Sequence, residues 1–312
     1  MSKFKIWFEA TRPKIFIASI VPVIIGNAAA YFHLNNTYLD DILEVSPTLG
    51  SIINQEYSLF IGIITLICAM GIQLTSNFFN DIYDFYKGAD TKERKGPKRL
   101  VAEGIIPVQT MMKVTLGLVV FTFLLGLIIV DHRGWEILIV GVISLISAWA
   151  YTGGPYPLAY NSLGEVFVIL FFGLVAVNGS FYVQTGMLMP DVLVISFIPG
   201  FLASNILNVN NIRDIETDQK VGKTTLASLI GRQESIILFD VLLVVSYLSI
   251  ILAAFMINSS FLYLPFISIP FAIMLSRDLH KLPDEKLNPV LIKSGIFMLI
   301  FGILVVLGYL LS

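Results

Sequence analysis

The chain has 312 residues, 56% of them hydrophobic and 13% charged, with a mean hydropathy of +0.83. That balance excludes an ordinary soluble globular domain and points to a polytopic membrane protein. The formal net charge of -2 decides little, whereas the placement of the charges is informative.

Residues 1–12 are charged and aromatic and lead into an apolar run without a cleavage site, so the N-terminus is expected to stay in the mature protein. Crossing about 30 Å of hydrocarbon takes roughly 20 helical residues. Nine apolar runs near that length are predicted to span, at 14–33, 58–80, 107–130, 135–152, 163–186, 190–212, 235–257, 259–276 and 290–311. The predicted fold is therefore all-α, a single transmembrane domain over residues 1–312. The one cysteine, Cys68, lies inside the second run, which rules out an intramolecular disulfide and gives it a packing role.

With nine spans, residues 1–13, 81–106, 153–162, 213–234 and 277–289 share one side. They and the adjoining helix ends carry nineteen of the twenty Lys and Arg residues. The other side holds only Arg133, and the connection from His33 to Tyr57 has Asp40, Asp41, Glu44 and Glu56 without a base. The positive-inside rule then puts the N-terminus in the cytoplasm and the C-terminus outside, as in a bacterial inner membrane protein.

Two acidic clusters close predicted spans on the basic side. In the first, N77-F-F-N80-D81-I-Y-D84-F-Y-K-G88-A-D90, Asn77, Asp81 and Asp84 fall at i, i+4 and i+7 of a continuing helix, and Asn80 lies one turn before Asp84. Asp90 follows Gly88, a helix-stop residue, and is expected to fold back from a loop. In the second, Asn211, Asp214 and Asp218 fall at i, i+3 and i+7 with Asn210 one turn before Asp214, while Glu216 points elsewhere. Each cluster is followed by a basic segment: T91-K-E-R-K-G-P-K-R-L100-V-A after the first and Q219-K-V-G-K-T-T-L226-A after the second. The shared order of elements suggests a weak internal repeat with two half-sites facing each other.

Acids at membrane ends are commonly just solvated, but that does not explain asparagines at 77, 80, 205, 208, 210 and 211. Polar groups within or just below hydrocarbon are costly and mark a cavity or a functional site. Asp and Asn oxygens without His or Cys nearby suit a hard divalent cation, Mg²⁺ above all, which takes one or two carboxylates plus phosphate oxygens. His33, His132 and His280 are spread over separate loops and form no transition-metal site. Arg94, Lys95, Lys98, Arg99, Arg213, Lys220 and Lys223 stand close enough in sequence to clamp a polyanion. The expected ligand is a lipid diphosphate held by two Mg²⁺ at the mouth of an apolar bundle.

These residues resemble the two aspartate-rich motifs of the UbiA superfamily of intramembrane prenyltransferases. R12-P13-K14, N80-D81-x-x-D84 with D90, K98-R99-L-V-A-E-G104, Y151-T-G-G-P-Y-P-L-A-Y160, D214-x-x-x-D218 and G222-K-T-T-L carry the likeness over nearly the whole chain. Y151-T-G-G-P-Y-P-L, G164-E165, F171-F-G-L-V-A-V and N210-N-I-R-D-I-E-T-D218 are similar to the 1,4-dihydroxy-2-naphthoate polyprenyltransferase branch. The G88-x-D90 spacing departs from the 4-hydroxybenzoate branch.

The resemblance implies a bundle with a central cavity open to the cytoplasm. It also implies Mg²⁺ on Asp81, Asp84, Asp90, Asp214 and Asp218, and attack of an aromatic ring on the prenyl C1 with loss of CO₂. Asp84, Asp214 and Tyr151 are expected to be catalytic. Asn80, Arg94, Lys98, Arg99, Asn210, Asn211, Lys223, Arg12 and Glu165 are expected to bind substrate. For Tyr151, Glu165 and Arg12, an interfacial belt residue, a helix-dipole carboxylate and a membrane anchor are the respective alternatives. Gly153 and Gly154 are expected to bring backbone close to the ligand. The expected partners are polyprenyl diphosphate, an aromatic acceptor and the bilayer, with neither nucleic acid nor a partner protein.

Two rivals remain at this stage. One is a same-superfamily enzyme with another acceptor: 4-hydroxybenzoate, a chlorin or haem ring, or a lipid alcohol. The other is a cation-coupled transporter, against which the polar residues gather at one face while the last three spans hold uncharged stretches such as 299–307.

Overall fold

A computed structural model describes residues 2–35, 56–89 and 99–312. The elements are α1 (Lys3–Thr11), α2 (Ile17–Asn35), α3 (Leu59–Tyr86), α4 (Val108–Arg133), α5 (Trp135–Ala150), α6 (Gly164–Thr185), α7 (Pro190–Lys220), α8 (Leu226–Ile230), α9 (Arg232–Met256), α10 (Ser260–Lys281) and α11 (Asn288–Leu311). Among the described residues eight helical segments are long and apolar enough to cross a membrane, and α5, with 16 residues, is a shorter ninth. All nine predicted spans are thus helices, in the predicted order.

The polar clusters do not end their helices. α3 runs on through Asp81 and Asp84 to Tyr86, stopping where Gly88 adopts φ +66°. α7 runs through Asp214 and Asp218 to Lys220, stopping before Gly222 at φ +71°. Positive φ is open to glycine without the Cβ clash that other residues meet. Each motif is therefore displayed on a rigid helix.

α7 is the axis of the larger half, packed against α2, α6, α9 and α11. The core there is built from Ile25, Ile195, Ile198, Phe239, Phe297 and Phe301 and their neighbours. A second cluster, Phe78, Phe79 and Ile82 with Leu100, Val101, Ile106 and Met111, joins α3 to α1 and to the turn before α4. α6 and α7 approach closely at Gly173 and Gly200. A Cβ on Gly173 would lie 2.7 Å from the Ser196 carbonyl oxygen, and one on Gly200 would lie 2.9 Å from that of Ile169. Small residues let membrane helices approach in this way. The backbone of α6 widens to π-helical hydrogen bonding over Ile169–Val175 at the same contact.

The end of the bundle opposite the motifs is closed by polar contacts. His33 of α2 and Tyr309 of α11 both meet Asp191 Oδ2 of α7, each at 3.0 Å. Arg133, the lone base expected on that side, donates from Nε to the Val183 carbonyl and from Nη2 to that of Gln184, both at 3.0 Å, so it caps the last turn of α6. His33, His132 and His280 lie in helices rather than loops, because these helices run past the ends of the apolar segments.

Candidate active site

α3 and α7 carry the two motifs to one open cavity with about 820 Å³ of empty space. One wall is Asn80 and Asp84, and the other is Asn210, Asn211, Asp214, Thr217 and Asp218. Arg99, Tyr151, Thr152, Glu165, Lys223 and Thr225 complete it. Asp84 and Asp214 lie on opposed helices and face the same space.

Each carboxylate meets a specific partner. Asp81 is 2% exposed and is gripped by both Arg12 and Arg99. It is absent from the cavity wall. Asp84 Oδ1 accepts from the Tyr160 hydroxyl at 2.8 Å, and its Oδ2 lies 3.5 Å from Arg99 Nη2. Asp214 receives a two-pronged contact from its neighbour Arg213, Nε to Oδ1 at 2.8 Å and Nη2 to Oδ2 at 2.6 Å. Arg213 also reaches Asn210 Oδ1 at 2.7 Å and Asn288 Oδ1 at 2.6 Å. Lys223 Nζ sits 3.3 Å from both oxygens of Asp218. The Arg213–Asp214 fork has the short, directional geometry of a charge-assisted pair, and the Tyr160 hydroxyl fixes Asp84 at a similar distance, so these two carboxylates are oriented before any ligand arrives.

A strap joins the two half-sites. Thr224 N donates to the Tyr160 carbonyl at 3.2 Å and Ser162 N to the Thr224 carbonyl at 2.8 Å. This ties the α5–α6 connection to the turn after α7. From it, Tyr160 extends to Asp84, its ring centroid 3.9 Å from Lys87 Nζ and 5.9 Å from Lys223 Nζ. Lys87 Nζ donates to the Thr152 carbonyl at 2.8 Å. Burial draws the Lys87 ammonium below its ordinary pKa, and Asp84 pulls it part of the way back.

Glu165, in the first turn of α6, is 3% exposed and accepts from Asn211 Nδ2 at 2.8 Å. Tyr151 follows directly after α5, partly buried, with its hydroxyl beside Gly164. Burial pushes its hydroxyl well above the usual tyrosine range, with the Glu165 and Asp84 charges adding to the effect. Thr152 Oγ1 donates to Asn80 Oδ1 at 2.7 Å.

The structure gathers Asn80, Asp84, Arg99, Tyr151, Glu165, Asn210, Asn211, Asp214, Asp218 and Lys223 around one space. Arg12 stands behind Asp81, one step removed. Asp90, Arg94, Lys95 and Lys98, like Asp40, Asp41 and Glu44, lie outside the described residues.

Three expectations change. Asn205 and Asn208 do not line the cavity: they face α9, donating to the carbonyls of Phe239 at 3.1 Å and Ser235 at 2.7 Å. Their place on the helix turns them about half a turn from Asn210 and Asp214. Gly153 does not bring backbone to a ligand, since the space of a Cβ there is filled by Tyr83 Cε2 at 2.6 Å and by Trp149. Arg213 is a carboxylate holder within the protein rather than an open clamp. Tyr160, Lys87, Thr152 and Asn288 received no role from the sequence, although Thr152 and Tyr160 lie in the Y151–Y160 segment and Lys87 in the first acidic cluster.

The cavity offers Asp, Glu and Asn oxygens together with Thr and Tyr hydroxyls, and its described lining contains no His or Cys. Among the described residues no three acidic, imidazole or thiol groups converge on one point as a closed metal cage. Carboxylates on opposed walls fit a hard cation that completes its shell with phosphate oxygens and water.

The model of the UbiA prenyltransferase family matches residues 46–309. The chain belongs to the UbiA prenyltransferase family. It is 30% identical to the 1,4-dihydroxy-2-naphthoate octaprenyltransferase of Haemophilus influenzae, over 99% of this chain and 97% of that protein. It is also 30% identical to the Escherichia coli protein of the same name, over 100% and 97%. A solved UbiA homolog from Archaeoglobus fulgidus, described as bound to GPP and Mg²⁺, superposes with a TM-score of 0.60 at 16% identity, covering 95% of this chain and 97% of that one. The protein is a multi-pass membrane prenyltransferase.

Proposed function

We propose that the protein transfers a polyprenyl group from a polyprenyl diphosphate to 1,4-dihydroxy-2-naphthoate, the new C–C bond replacing the prenyl C1–O bond and the ring–carboxylate bond, so that diphosphate and CO₂ leave and the product is the hydroquinone demethylmenaquinol, the reduced form of demethylmenaquinone. The observation that carries the reading is the pair of Asn–Asp motifs on α3 and α7 facing one cavity, with Arg99 and Lys223 beside them. The acceptor is supported by the names of the two full-length bacterial relatives.

Mg²⁺ is the proposed metal, two ions in number, because the donors are hard oxygens and the Archaeoglobus structure is described with GPP and Mg²⁺. Asp84, Asp214 and Asp218 would hold it, with Asp90 as a further proposed ligand; Asp81, expected from the sequence to be a ligand, is instead turned away from the cavity onto Arg12 and Arg99 and positions the site from behind. When bound, it neutralises charge on the departing diphosphate. The chain's own residues do the rest. Arg99 and Lys223 set positive charge at the wall where the diphosphate leaves. Tyr160 and Arg213 hold the carboxylates of Asp84 and Asp214 in place.

For the acceptor, Tyr151 keeps its proton and donates a hydrogen bond. Glu165, fixed by Asn211, accepts one from a ring hydroxyl and so enriches the ring carbon that attacks prenyl C1. The tail is assigned to an apolar groove of α3, α4, α5 and α6 with about 770 Å³ of empty space, whose lining includes Thr65, Cys68, Ala69 and Ile72 of α3. Ile72 is eight residues, or about 12 Å of helix, from Asn80.

The proposed setting is a bacterial inner membrane, with the N-terminus and cavity toward the cytoplasm. By sequence, nineteen of the twenty bases fall in the predicted loops on the motif side or in the helix ends beside them. The test is to incubate the purified protein with Mg²⁺, a polyprenyl diphosphate and each aromatic acceptor in turn. Prenylated product from dihydroxynaphthoate is expected; product from 4-hydroxybenzoate and none from dihydroxynaphthoate would overturn the acceptor assignment.

A further inference from the structure

α1 has three faces. Ile6, Trp7 and Ala10 pack on the cluster formed by Phe78, Phe79, Ile82 and the turn before α4. Phe4 and Phe8 form a second stripe, 80% and 55% exposed, their rings stacked with centroids 6.3 Å apart. Lys5 and Glu9 form the third, and Lys3 begins the helix. At 100° per residue the phenylalanine stripe lies between the packed face and the charged face, the order expected of a helix lying in a membrane interface. α1 packs beside the turn of α3 that carries Asp81.

The chain leaves α1 through Arg12, whose φ of +50° is a left-handed conformation disfavoured for a residue with a Cβ. Such a conformation persists only where its surroundings hold it. Asp81 holds the guanidinium, the α3 cluster holds the packed face of α1, and exposed Lys14 and Ile15 follow at once.

We propose that α1 is an interfacial anchor: the Phe4–Phe8 stripe enters the acyl–headgroup boundary of an anionic bilayer, Lys3, Lys5 and Lys14 meet the headgroups, and this seat keeps Arg12 on Asp81. The charge complementarity is direct, since three exposed lysines surround the stripe and Glu9 is the one acid on α1. The catalytic consequence of losing Arg12 from Asp81 rests on the diphosphate reading of the site; the lipid contact does not.

The experiment places single nitroxide labels at positions 4, 8 and 9 of the full chain in a Cys68→Ala background, in vesicles of phosphatidylcholine alone or mixed with phosphatidylglycerol. Labels at 4 and 8 should be relaxed more by oxygen than by a water-soluble nickel chelate when phosphatidylglycerol is present, and the label at 9 the reverse. Nickel relaxation at 4 and 8 equal to that at 9 in both vesicles would overturn the proposal, as would dipolar broadening showing that a second copy covers the stripe. In unlabelled protein, each of Lys3→Gln and Lys5→Gln should weaken the phosphatidylglycerol dependence of the diphosphate KM by about fivefold, the effect of one lysine at an anionic surface. An unchanged KM with the labels in lipid would overturn the link to Arg12 alone. Wild-type protein inactive with every prenyl diphosphate would instead count against the proposed function and leave the label result standing.

Discussion

Asp191→Ala tests whether the polar closure opposite the motifs holds the bundle together independently of the chemistry. Asp191 is 3% exposed and its Oδ2 takes both the His33 ring nitrogen and the Tyr309 hydroxyl at 3.0 Å, joining α7 to α2 and α11. His33 is 2% exposed and Tyr309 1%, so neither finds water when the carboxylate is removed. A buried polar group left without its partner costs about 1–3 kcal/mol. The expected loss is that of the two orphaned groups together, roughly 2–6 kcal/mol. Asp191→Asn, which keeps an acceptor, should lose less.

Asp214 lies 23 residues along α7 from Asp191, about 35 Å at 1.5 Å per residue. Folded Asp191→Ala assayed well below its melting temperature should therefore turn over at close to the wild-type rate. The assay pairs thermal unfolding of the purified protein in detergent with prenyl transfer at low temperature. An unchanged melting curve would refute the structural role, and a lost rate in fully folded protein would refute the separation of the two ends.

Gly200→Ala should cost about 1–3 kcal/mol, because the new methyl falls 2.9 Å from the Ile169 carbonyl oxygen. By pushing α6 from α7 it should raise the acceptor KM more than the diphosphate KM; equal changes in both would count against the placement of Glu165 and Asn211. Tyr151 keeps its proton above the usual tyrosine pKa because burial, Glu165 and Asp84 all disfavour the phenolate. The wild-type pH–rate profile should thus show no fall attributable to this hydroxyl near pH 10, and a fall there that vanished in Tyr151→Phe would contradict the reading. Asn208→Ala removes one interhelical hydrogen bond to Ser235, worth about 0.6 kcal/mol in membranes, and should leave diphosphate affinity unchanged in a direct binding measurement.

Much of the bundle was legible because hydrocarbon imposes a simple length and polarity rule: all nine predicted spans are helices, and only α5, at 16 residues, falls short of the spanning length. The pairing of the motifs was legible too, since Asn80 with Asp84 and Asn210 with Asp214 repeat one helical spacing. What escaped was set by direction and by distant neighbours. Asn205 and Asn208 share their residue type with Asn210 and Asn211 but face α9, and the composition of α7 does not say which side its partner occupies. Arg213 carries the sequence marks of an open clamp, yet its fork closes on the adjacent Asp214, which depends on Asn288 lying 75 residues away. Tyr160 reaches Asp84 across 76 residues and His33 reaches Asp191 across 158, contacts that no local pattern announces.

The central claim, that opposed motifs on α3 and α7 jointly hold a metal-bound prenyl diphosphate, is tested most directly by calorimetric binding of geranyl diphosphate to the wild type, Asp84→Ala and Asp214→Ala. With Mg²⁺ the wild type should bind, and with a chelator it should not. Each variant should lose the Mg²⁺-dependent binding while keeping its helical content. Wild-type affinity in either variant would contradict the account.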